Sequence, residues 1–171
     1  RAAQYRNPAN VRAHETTTGP EIWADCGGRL DAFVATVGTC GTVTGAGRFL
    51  KSQDPSIRVV AVEPQRDHRQ QGLRNLTESD VPAILDWSVV DERMTVTDAE
   101  AFAFARALAS EEGIFAGISS GTAVAAAVRV ATALADAAGG SPRRAEPIRV
   151  VTLLPDRGER YLSTPLFDPG L

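Results

Sequence analysis

"VATVGTCGTVTGAGRFLKSQDPSIRVVAVEP", residues 34–64, contains the pattern from which the architecture follows. Residues 31–37 are mostly apolar and lie between glycines, which predicts a buried strand. A loop of small residues comes next, then a predicted helix over 42–51 that Asp54-Pro55 ends. A β-branched strand over 57–62 follows. Two strands joined by one short helix favour a parallel pair with a right-handed crossover.

The rest of the chain continues this alternation. Asn7-Pro8 predicts the start of a helix over 8–18, and Gly19-Pro20 predicts its end. Residues 65–86 are polar and predict a long irregular excursion. We expect a strand over 93–96, then a capping box at residues 97–100 that begins a helix to about 112. A second helix to about 138, a turn-rich linker over 139–147 and a strand over 148–154 follow. This order indicates an α/β fold with a mostly parallel sheet flanked by helices, and one partial domain over residues 1–171.

Composition and charge exclude several classes of partner. The net charge is −3 with no basic block, so we expect no nucleic-acid and no anionic-membrane partner. No apolar run approaches the roughly 20 residues of a membrane span. Cys26 and Cys40 lack metal-ligand spacing, which favours a reducing, cytoplasmic setting. His14 and His68 are isolated along the sequence, so we expect each to be an ordinary surface or helix residue, and we expect no metal site.

The small-residue loop is a candidate phosphate site. Gly45 and Gly47 lack the third glycine of a dinucleotide fingerprint, and no Gly-Lys-Ser/Thr occurs for a nucleoside triphosphate. The loop itself suits one terminal phosphate monoester at a helix N-terminus, or a tight turn without a ligand. Its residues are Gly38, Thr39, Cys40, Gly41 and Thr42.

Four longer stretches resemble one enzyme family. They are NPANVRAHETTTGPEIW, TVTGAGRFLKSQDPSIRVVAVEP, EEGIFAGISSGTAVAAA and LLPDRGERYLST. Together with the loop they resemble the C-terminal portion of the cysteine synthase / cystathionine β-synthase family. The resemblance covers nearly the whole chain. It implies the large-domain part of a fold type II enzyme dependent on pyridoxal 5'-phosphate, with the N-terminal domain missing.

The resemblance also implies roles for particular residues. Residues 38–42 would hold the cofactor phosphate, and Ser119 would face the pyridine nitrogen. A hydroxyl leaves that nitrogen neutral, which suits β-elimination and β-replacement. The alternative for Ser119 and Ser120 is a cap on the following helix. Gln4 matches a glutamine that helps to bind the carboxylate of the amino-acid substrate.

Two departures from the family pattern affect these roles. Cys40 stands where the family usually has a glycine, so its backbone N–H remains available only if the loop tolerates a side chain there. We expect a small packed residue rather than a redox thiol. The Schiff-base lysine of the family lies upstream of every stretch quoted, and the only lysine, Lys51, lies in mid-helix. With Arg1 in place of an initiator Met, these features predict a fragment that lacks a catalytic lysine.

The leaving group of the substrate depends on Arg74. The letters LRN at 73–75 resemble the branch of the family that uses O-phosphoserine, in which an arginine faces the leaving group. A guanidinium matches a phosphate dianion in a bidentate geometry. The alternative is a solvated loop arginine.

The resemblance therefore implies an enzyme that converts O-acetylserine or O-phosphoserine and sulfide to L-cysteine, as a homodimer when intact. Cystathionine β-synthesis from serine and homocysteine is the nearest alternative activity. A non-catalytic binding or oligomerising fragment is the alternative from a different class.

Overall fold

The computed structural model describes residues 3–139 and 146–167. A helical N-terminal segment is followed by alternating strands and helices. In chain order the elements are α1 (Pro8–Ala13), a π-helical turn (His14–Thr18), α2 (Gly19–Asp25), β1 (Ala32–Thr36), α3 (Gly41–Gln53), β2 (Arg58–Pro64), a 3₁₀ turn (Trp87–Val89), β3 (Glu92–Val96), α4 (Asp98–Glu111), α5 (Ile118–Ala137), β4 (Val150–Thr152) and a 3₁₀ turn (Gly158–Tyr161).

The strands form one parallel sheet in the order β3-β2-β1-β4. Ala32 pairs with Arg58 of β2 on one side and with Val150 of β4 on the other. Val60 of β2 pairs in turn with Glu92 of β3. The predicted parallel pairing across α3 is confirmed. Because β4 adds on the opposite side of β1 from β2, the strand order reverses beside β1, and ligands bind at such a point in open α/β sheets.

Successive residues of each strand face opposite sides of the sheet, as the pleat requires. On β1, Val34 belongs to the core formed with α4 and α5, whereas Phe33 belongs to the core that includes residues of α2 and α3. Val60 and Val59 divide in the same way on β2. The two strands are therefore covered on both faces, which is why their sequences are continuous apolar runs.

The helix predicted over 8–18 is longer than expected, and the prediction that Gly19-Pro20 ends it is wrong. Gly19 donates its N–H to the carbonyl of His14, which is the π-helical pattern. Pro20 then lies in the first turn of α2, where a missing N–H costs nothing. The wider π turn therefore carries the helical segment past the proline to Asp25.

The other predicted elements are confirmed with small changes at their ends. The predicted capping box is present, because Thr97 accepts from the Glu100 N–H and the Glu100 carboxylate accepts from the Thr97 N–H. The last strand is shorter than predicted and spans Val150–Thr152. Residues 65–86 contain no helix or strand, as expected. Most of the predicted linker, residues 140–145, lies outside the described residues.

The expectation that no apolar run approaches the length of a membrane span is wrong for α5. In the described part of the chain, this 20-residue helix alone is long and apolar enough to cross a membrane. Half of its apolar window is buried inside the fold. Ala126 and Val130 of α5 contribute to the core beside the sheet. In this structure α5 is a core helix.

Candidate functional site

A cavity of about 300 Å³ opens at the carboxyl ends of β1 and β4. One wall is the loop after β1, and the facing wall is the start of α5 with the segment that follows β4. Segment 71–73 forms a further part of the lining. The residues are Thr36, Gly38, Thr39, Cys40, Thr42, Gln71, Gly72, Leu73, Ser119, Pro155, Asp156 and Tyr161. Thus predicted phosphate-loop residues and Ser119, which are far apart in sequence, line one cavity.

The loop presents unused backbone donors. The N–H groups of Gly38, Thr39 and Cys40 make no hydrogen bond to any residue among 3–139 and 146–167. Gly41 begins α3, and the first N–H groups of a helix have no partner within it. Such N–H groups at a helix N-terminus form a ready site for an anion. The loop therefore presents several free backbone donors together at the start of α3.

Cys40 adopts the left-handed conformation, with φ +68°. This conformation costs an ordinary L-residue roughly 1–2 kcal/mol, whereas glycine adopts it freely. Cys40 is buried, and burial raises the pKa of its thiol to about 12, against a smaller opposing effect of Arg74. The thiol is therefore neutral and packed at physiological pH, as predicted for a structural rather than a redox cysteine.

Ser119 lies in the first turn of α5 and is buried. The N-cap residue is Gly117, and no side chain caps this helix end. The Ser120 hydroxyl is fully buried without a partner in the described residues, and the Ser119 hydroxyl makes no hydrogen bond to them. The alternative that these serines cap the helix is therefore wrong. The Ser119 side chain lines the cavity instead.

Two residues that sequence reasoning missed complete the wall beside Ser119. Tyr161 donates to Oδ2 of Asp156 at 2.6 Å. Burial, and then this hydrogen bond, raise the pKa of Tyr161 to about 12, so the phenol keeps its proton. A Cβ on Gly117 would overlap both side chains, so only glycine fits there. Both residues lie in the stretch PDRGERY, which contains no recognisable catalytic or binding motif from which their role could be predicted.

Gln4 and Arg74 lie outside the wall of this cavity. The carbonyl of Gln4 accepts from the Asn10 amide at 2.8 Å, and its exposed side chain makes no hydrogen bond to a described residue. The Arg74 guanidinium lies 4.3 Å from the ring centroid of Tyr5, and its N–H donates to the carbonyl of Val37 at 2.9 Å. Both predicted substrate residues are therefore tied to segments next to the phosphate loop, and neither lines the cavity.

Asn10 and His14 are further residues that sequence reasoning missed. Asn10 donates to the Thr39 hydroxyl at 3.0 Å. Nε2 of His14 lies 3.2 Å from the Thr42 hydroxyl. Asn10 and His14 are four residues apart on one helical segment, and this spacing places their side chains on the same face. The expectation that His14 is an ordinary surface or helix residue is incomplete, since it contacts the loop.

Lys51 lies near the C-terminal end of α3, away from the cavity. Its ammonium pairs with Asp91 at 2.7 Å and donates to the carbonyl of Ile57 at 3.1 Å. Ten residues of helix separate it from Gly41, a distance of about 15 Å. Lys51 therefore serves to join α3 to the sheet. No group of metal-binding side chains occurs among the residues that the structure describes.

Comparisons with known proteins agree with this geometry. Residues 1–156 match the family described as pyridoxal-phosphate dependent enzyme. The chain is 43% identical over 164 residues to cysteine synthase B of Escherichia coli, covering 96% of this chain and 50% of that protein. It is 44% identical over 179 residues to O-ureido-L-serine synthase of Streptomyces lavendulae, covering 98% and 51%.

Solved structures show the same fold. The crystal structure of O-acetyl serine sulfhydrylase isoform 3 from Entamoeba histolytica superposes with a TM-score of 0.81 at 38% identity, covering 97% of this chain and 49% of that one. The chain thus spans about half the length of the relatives it matches. Its sheet and helices match about half of the fold of these fold type II enzymes. The chain belongs to the pyridoxal-phosphate dependent enzyme family.

Proposed function

We propose that this chain is the cofactor-binding part of a β-replacement enzyme that makes L-cysteine from an activated serine and sulfide. The observation that supports this most is that residues of the phosphate loop and Ser119 line the same cavity. The relatives named cysteine synthase B are similar to this chain in sequence over nearly its whole length. We extend the proposal to a homodimer in the cytoplasm, where the thiols of Cys26 and Cys40 stay free, as in the structure.

The residues of the cavity fit pyridoxal 5'-phosphate. The free N–H groups of residues 38–40 and the hydroxyls of Thr39 and Thr42 would hold its phosphate. Ser119 on the facing wall would meet the pyridine nitrogen with a hydroxyl, which does not force that nitrogen to be protonated. When bound, the cofactor withdraws electrons from the substrate, so that the leaving group departs from the β-carbon. Segment 71–73 and Asp156 close the sides and limit the entry of water.

The proposal assigns the Schiff-base lysine to a part of the enzyme outside these 171 residues. Lys51 is committed to Asp91 and to the carbonyl of Ile57. Moving it to the cavity would break an ion pair and expose its partners. We therefore propose that the working enzyme is longer than this chain. The lack of a lysine at the cavity also favours a second candidate function, that of a non-catalytic module with the fold of its enzyme relatives.

Arg74 and Gln4 are the proposed substrate residues. Stacking on Tyr5 fixes the plane of the Arg74 guanidinium, and a planar, preoriented guanidinium suits a phosphate dianion. Gln4, one residue before Tyr5, would bind the substrate carboxylate. This arrangement favours O-phosphoserine over O-acetylserine, because only the former has a doubly charged leaving group.

The test is cysteine formation by the intact protein from sulfide with each of O-phosphoserine, O-acetylserine and serine. We expect Arg74→Ala to lower kcat/KM for O-phosphoserine by about 30- to 1000-fold and to change O-acetylserine little. Arg74→Lys should recover part of the loss, because a point charge cannot reproduce the fork. Arg66→Ala, which removes an exposed arginine of the same segment, is the matched control.

Three outcomes would change the proposal. Equal losses on both esters would mean that Arg74 supports the loop and does not bind the leaving group. Cystathionine formation from serine and homocysteine, without cysteine formation from sulfide, would favour the cystathionine β-synthase activity. An intact protein that binds no pyridoxal 5'-phosphate and forms no product would favour the non-catalytic module.

A further inference from the structure

The helical segment 8–18 contacts the start of α3 at two glycines one turn apart. A Cβ on Gly41 would overlap the side-chain amide of Asn10. A Cβ on Gly45 would lie 2.9 Å from Cβ of His14 and would also overlap the backbone of the segment. The absence of both side chains lets Asn10 and His14 reach Thr39 and Thr42, although neither Asn10 nor His14 lines the cavity.

Asn10 directs the proton of the Thr39 hydroxyl. Nδ2 of Asn10 donates to Oγ1 of Thr39 at 3.0 Å, and the N–H of Gly41 donates to the same oxygen at 3.3 Å. A hydroxyl oxygen has two lone pairs, so these two donors use both. The hydroxyl proton of Thr39 is then left for an acceptor in the cavity, which this threonine lines.

His14 contacts the hydroxyl of Thr42 in a similar way, one turn further along the helical segment. Its Nε2 lies 3.2 Å from Oγ1 of Thr42, and its Nδ1 lies 3.0 Å from Oγ1 of Thr18. Partial burial lowers the pKa of His14, so the imidazole is neutral at neutral pH. A neutral imidazole has one N–H donor and one acceptor nitrogen. The ring nitrogen that bears the proton therefore decides whether the Thr42 hydroxyl can donate a hydrogen bond into the cavity.

The two tautomers have opposite consequences. With the proton on Nδ1, Nε2 accepts the hydroxyl proton of Thr42, and only the lone pairs of that oxygen remain for a ligand. With the proton on Nε2, His14 donates to Thr42, whose own proton becomes free, and Thr18 donates to Nδ1. A phosphate dianion accepts hydrogen bonds and is repelled by lone pairs. A phosphate that accepts a hydrogen bond from the Thr42 hydroxyl therefore requires the second arrangement.

We propose that Asn10 and His14 are positioning residues that turn the hydroxyl protons of Thr39 and Thr42 toward the cavity, with His14 held as the Nε2–H tautomer by Thr18. The inference rests on the proposed phosphate-binding role of the loop. It adds a pair of residues that act through the loop and contact no ligand themselves. The π-helical turn contributes, since it contains both His14 and Thr18.

The neighbouring threonines supply a matched control. Thr16 and Thr17 lie in the same turn, and their hydroxyls donate back to the carbonyls of Arg12 at 2.9 Å and Ala13 at 2.8 Å. Both bonds stay within the helical segment. Thr17→Val therefore removes a hydroxyl from the same turn without touching the imidazole, whereas Thr18→Val removes the donor to Nδ1.

The first experiment is a multiple-bond proton–nitrogen correlation spectrum of the intact protein with labelled histidine, recorded with and without saturating pyridoxal 5'-phosphate. The spectrum of His14→Gln assigns the signals of His14, because they are the histidine signals that this variant lacks. We expect the Nε2–H pattern for His14, its loss or mixing in Thr18→Val, and no change in Thr17→Val. An Nδ1–H pattern for His14 in the wild-type protein would overturn the inference.

The second experiment measures the dissociation constant of pyridoxal 5'-phosphate by calorimetry. The Nε2 of glutamine takes the place of the imidazole Nε2, whereas the amide of asparagine reaches only the Nδ1 position. We expect His14→Gln to bind within about threefold of wild type and His14→Asn to bind about 10-fold more weakly, as for one lost hydrogen bond to a charged group. Equal affinities of the two variants would contradict the inference.

The two experiments also separate this inference from the proposed function. A wild-type protein that binds no pyridoxal 5'-phosphate would overturn the cofactor role of the loop. The tautomer of His14 in the ligand-free spectrum would still confirm or reject the proton arrangement. If His14→Asn fails to fold, the comparison of Thr18→Val with Thr17→Val decides the question alone.

Discussion

Thr122 donates its hydroxyl proton to the side-chain oxygen of Gln70 at 2.7 Å, and neither residue is exposed to solvent. The amide nitrogen of Gln70 donates to the carbonyl of Val96 and to Asp98, both at 3.0 Å. Three elements, α5, β3 and α4, therefore meet at one buried side chain. These bonds fix Gln70 and thereby position residues 71–73, which line the cavity. A segment without helix or strand therefore has a defined place in the wall of the cavity.

We expect Gln70→Leu to lower the free energy of unfolding by about 1–3 kcal/mol, because Val96 and Asp98 lose a buried donor. Urea denaturation followed by circular dichroism measures the change. Gln71→Leu is the matched control, since Gln71 is exposed and should change stability by less than about 0.5 kcal/mol. Equal changes in the free energy of unfolding for the two variants would show that the buried hydrogen bonds of Gln70 do not stabilise the fold.

The close contact between α3 and the N-terminal helical segment predicts a difference between two glycines. A Cβ on Gly45 would lie 2.9 Å from the N atom of Glu15, whereas the nearest atom to a Cβ on Gly47 is a methyl of Val59 at 3.4 Å. We expect Gly45→Ala to destabilise the fold by about 1–3 kcal/mol through overpacking. Gly47→Ala should be neutral or stabilising by up to about 1 kcal/mol, because alanine favours the helix. Thermal unfolding of both variants gives the comparison, and a stable Gly45→Ala would contradict the close contact.

Asp86 predicts part of the response of stability to acid. Hydrogen bonds from Ser88, and then from Arg48, lower the pKa of Asp86 to about 2. Its pKa in the unfolded chain is about 4, so the stabilisation is present above that pH and is lost as the pH falls toward 2. The pair with Arg48 is partly exposed, which limits the contribution to about 1 kcal/mol.

We therefore expect Asp86→Asn to be less stable than wild type at neutral pH and equally stable near pH 2. Urea midpoints measured at several pH values provide the test. Asp80→Asn, at an exposed position of the same segment, is the control and should keep the wild-type dependence. A constant difference between Asp86→Asn and wild type across the whole pH range would contradict the role of this carboxylate.

Ser119 and the adjacent Ser120 form a second matched pair. In the intact protein we expect Ser119→Ala to fold and to lose turnover by roughly 10- to 1000-fold, as for one lost polar contact to the reacting system. Ser120→Ala should keep its turnover, because the Ser120 hydroxyl is buried without a partner in the described residues. Steady-state kinetics and the absorption spectrum of the bound cofactor provide the comparison. Unchanged turnover in Ser119→Ala would remove this serine from the site.

The sequence was sufficient to predict the sheet and most of the helices. Two β-branched runs around a small-residue loop predict β1, α3 and β2, because parallel strands buried on both faces must be apolar throughout. The loop was found from its small residues and Ser119 through the resemblance, and residues of both line one cavity in the structure. Thr97 and Glu100 gave the start of α4, since a capping box is a local pattern that the fold does not override.

What the sequence did not predict depends on contacts between distant segments. Gly19-Pro20 predicted a helix end, but contacts with α3 and a π-helical turn extend the helix through it. Asn10 and His14 were missed because each contacts a threonine about 30 residues away that only the fold brings near. The placement of Arg74 on the ring of Tyr5 likewise depends on two segments that lie far apart in the chain.

The most direct test of the phosphate role of residues 38–42 compares the dissociation constants of pyridoxal 5'-phosphate and unphosphorylated pyridoxal for the intact, cofactor-free protein. Both ligands have the same ring and aldehyde, so the ratio isolates the phosphate. We predict that the phosphorylated ligand binds at least about 100-fold more tightly, since several charge-assisted hydrogen bonds depend on it. Equal dissociation constants would contradict the assignment of this loop as the phosphate site.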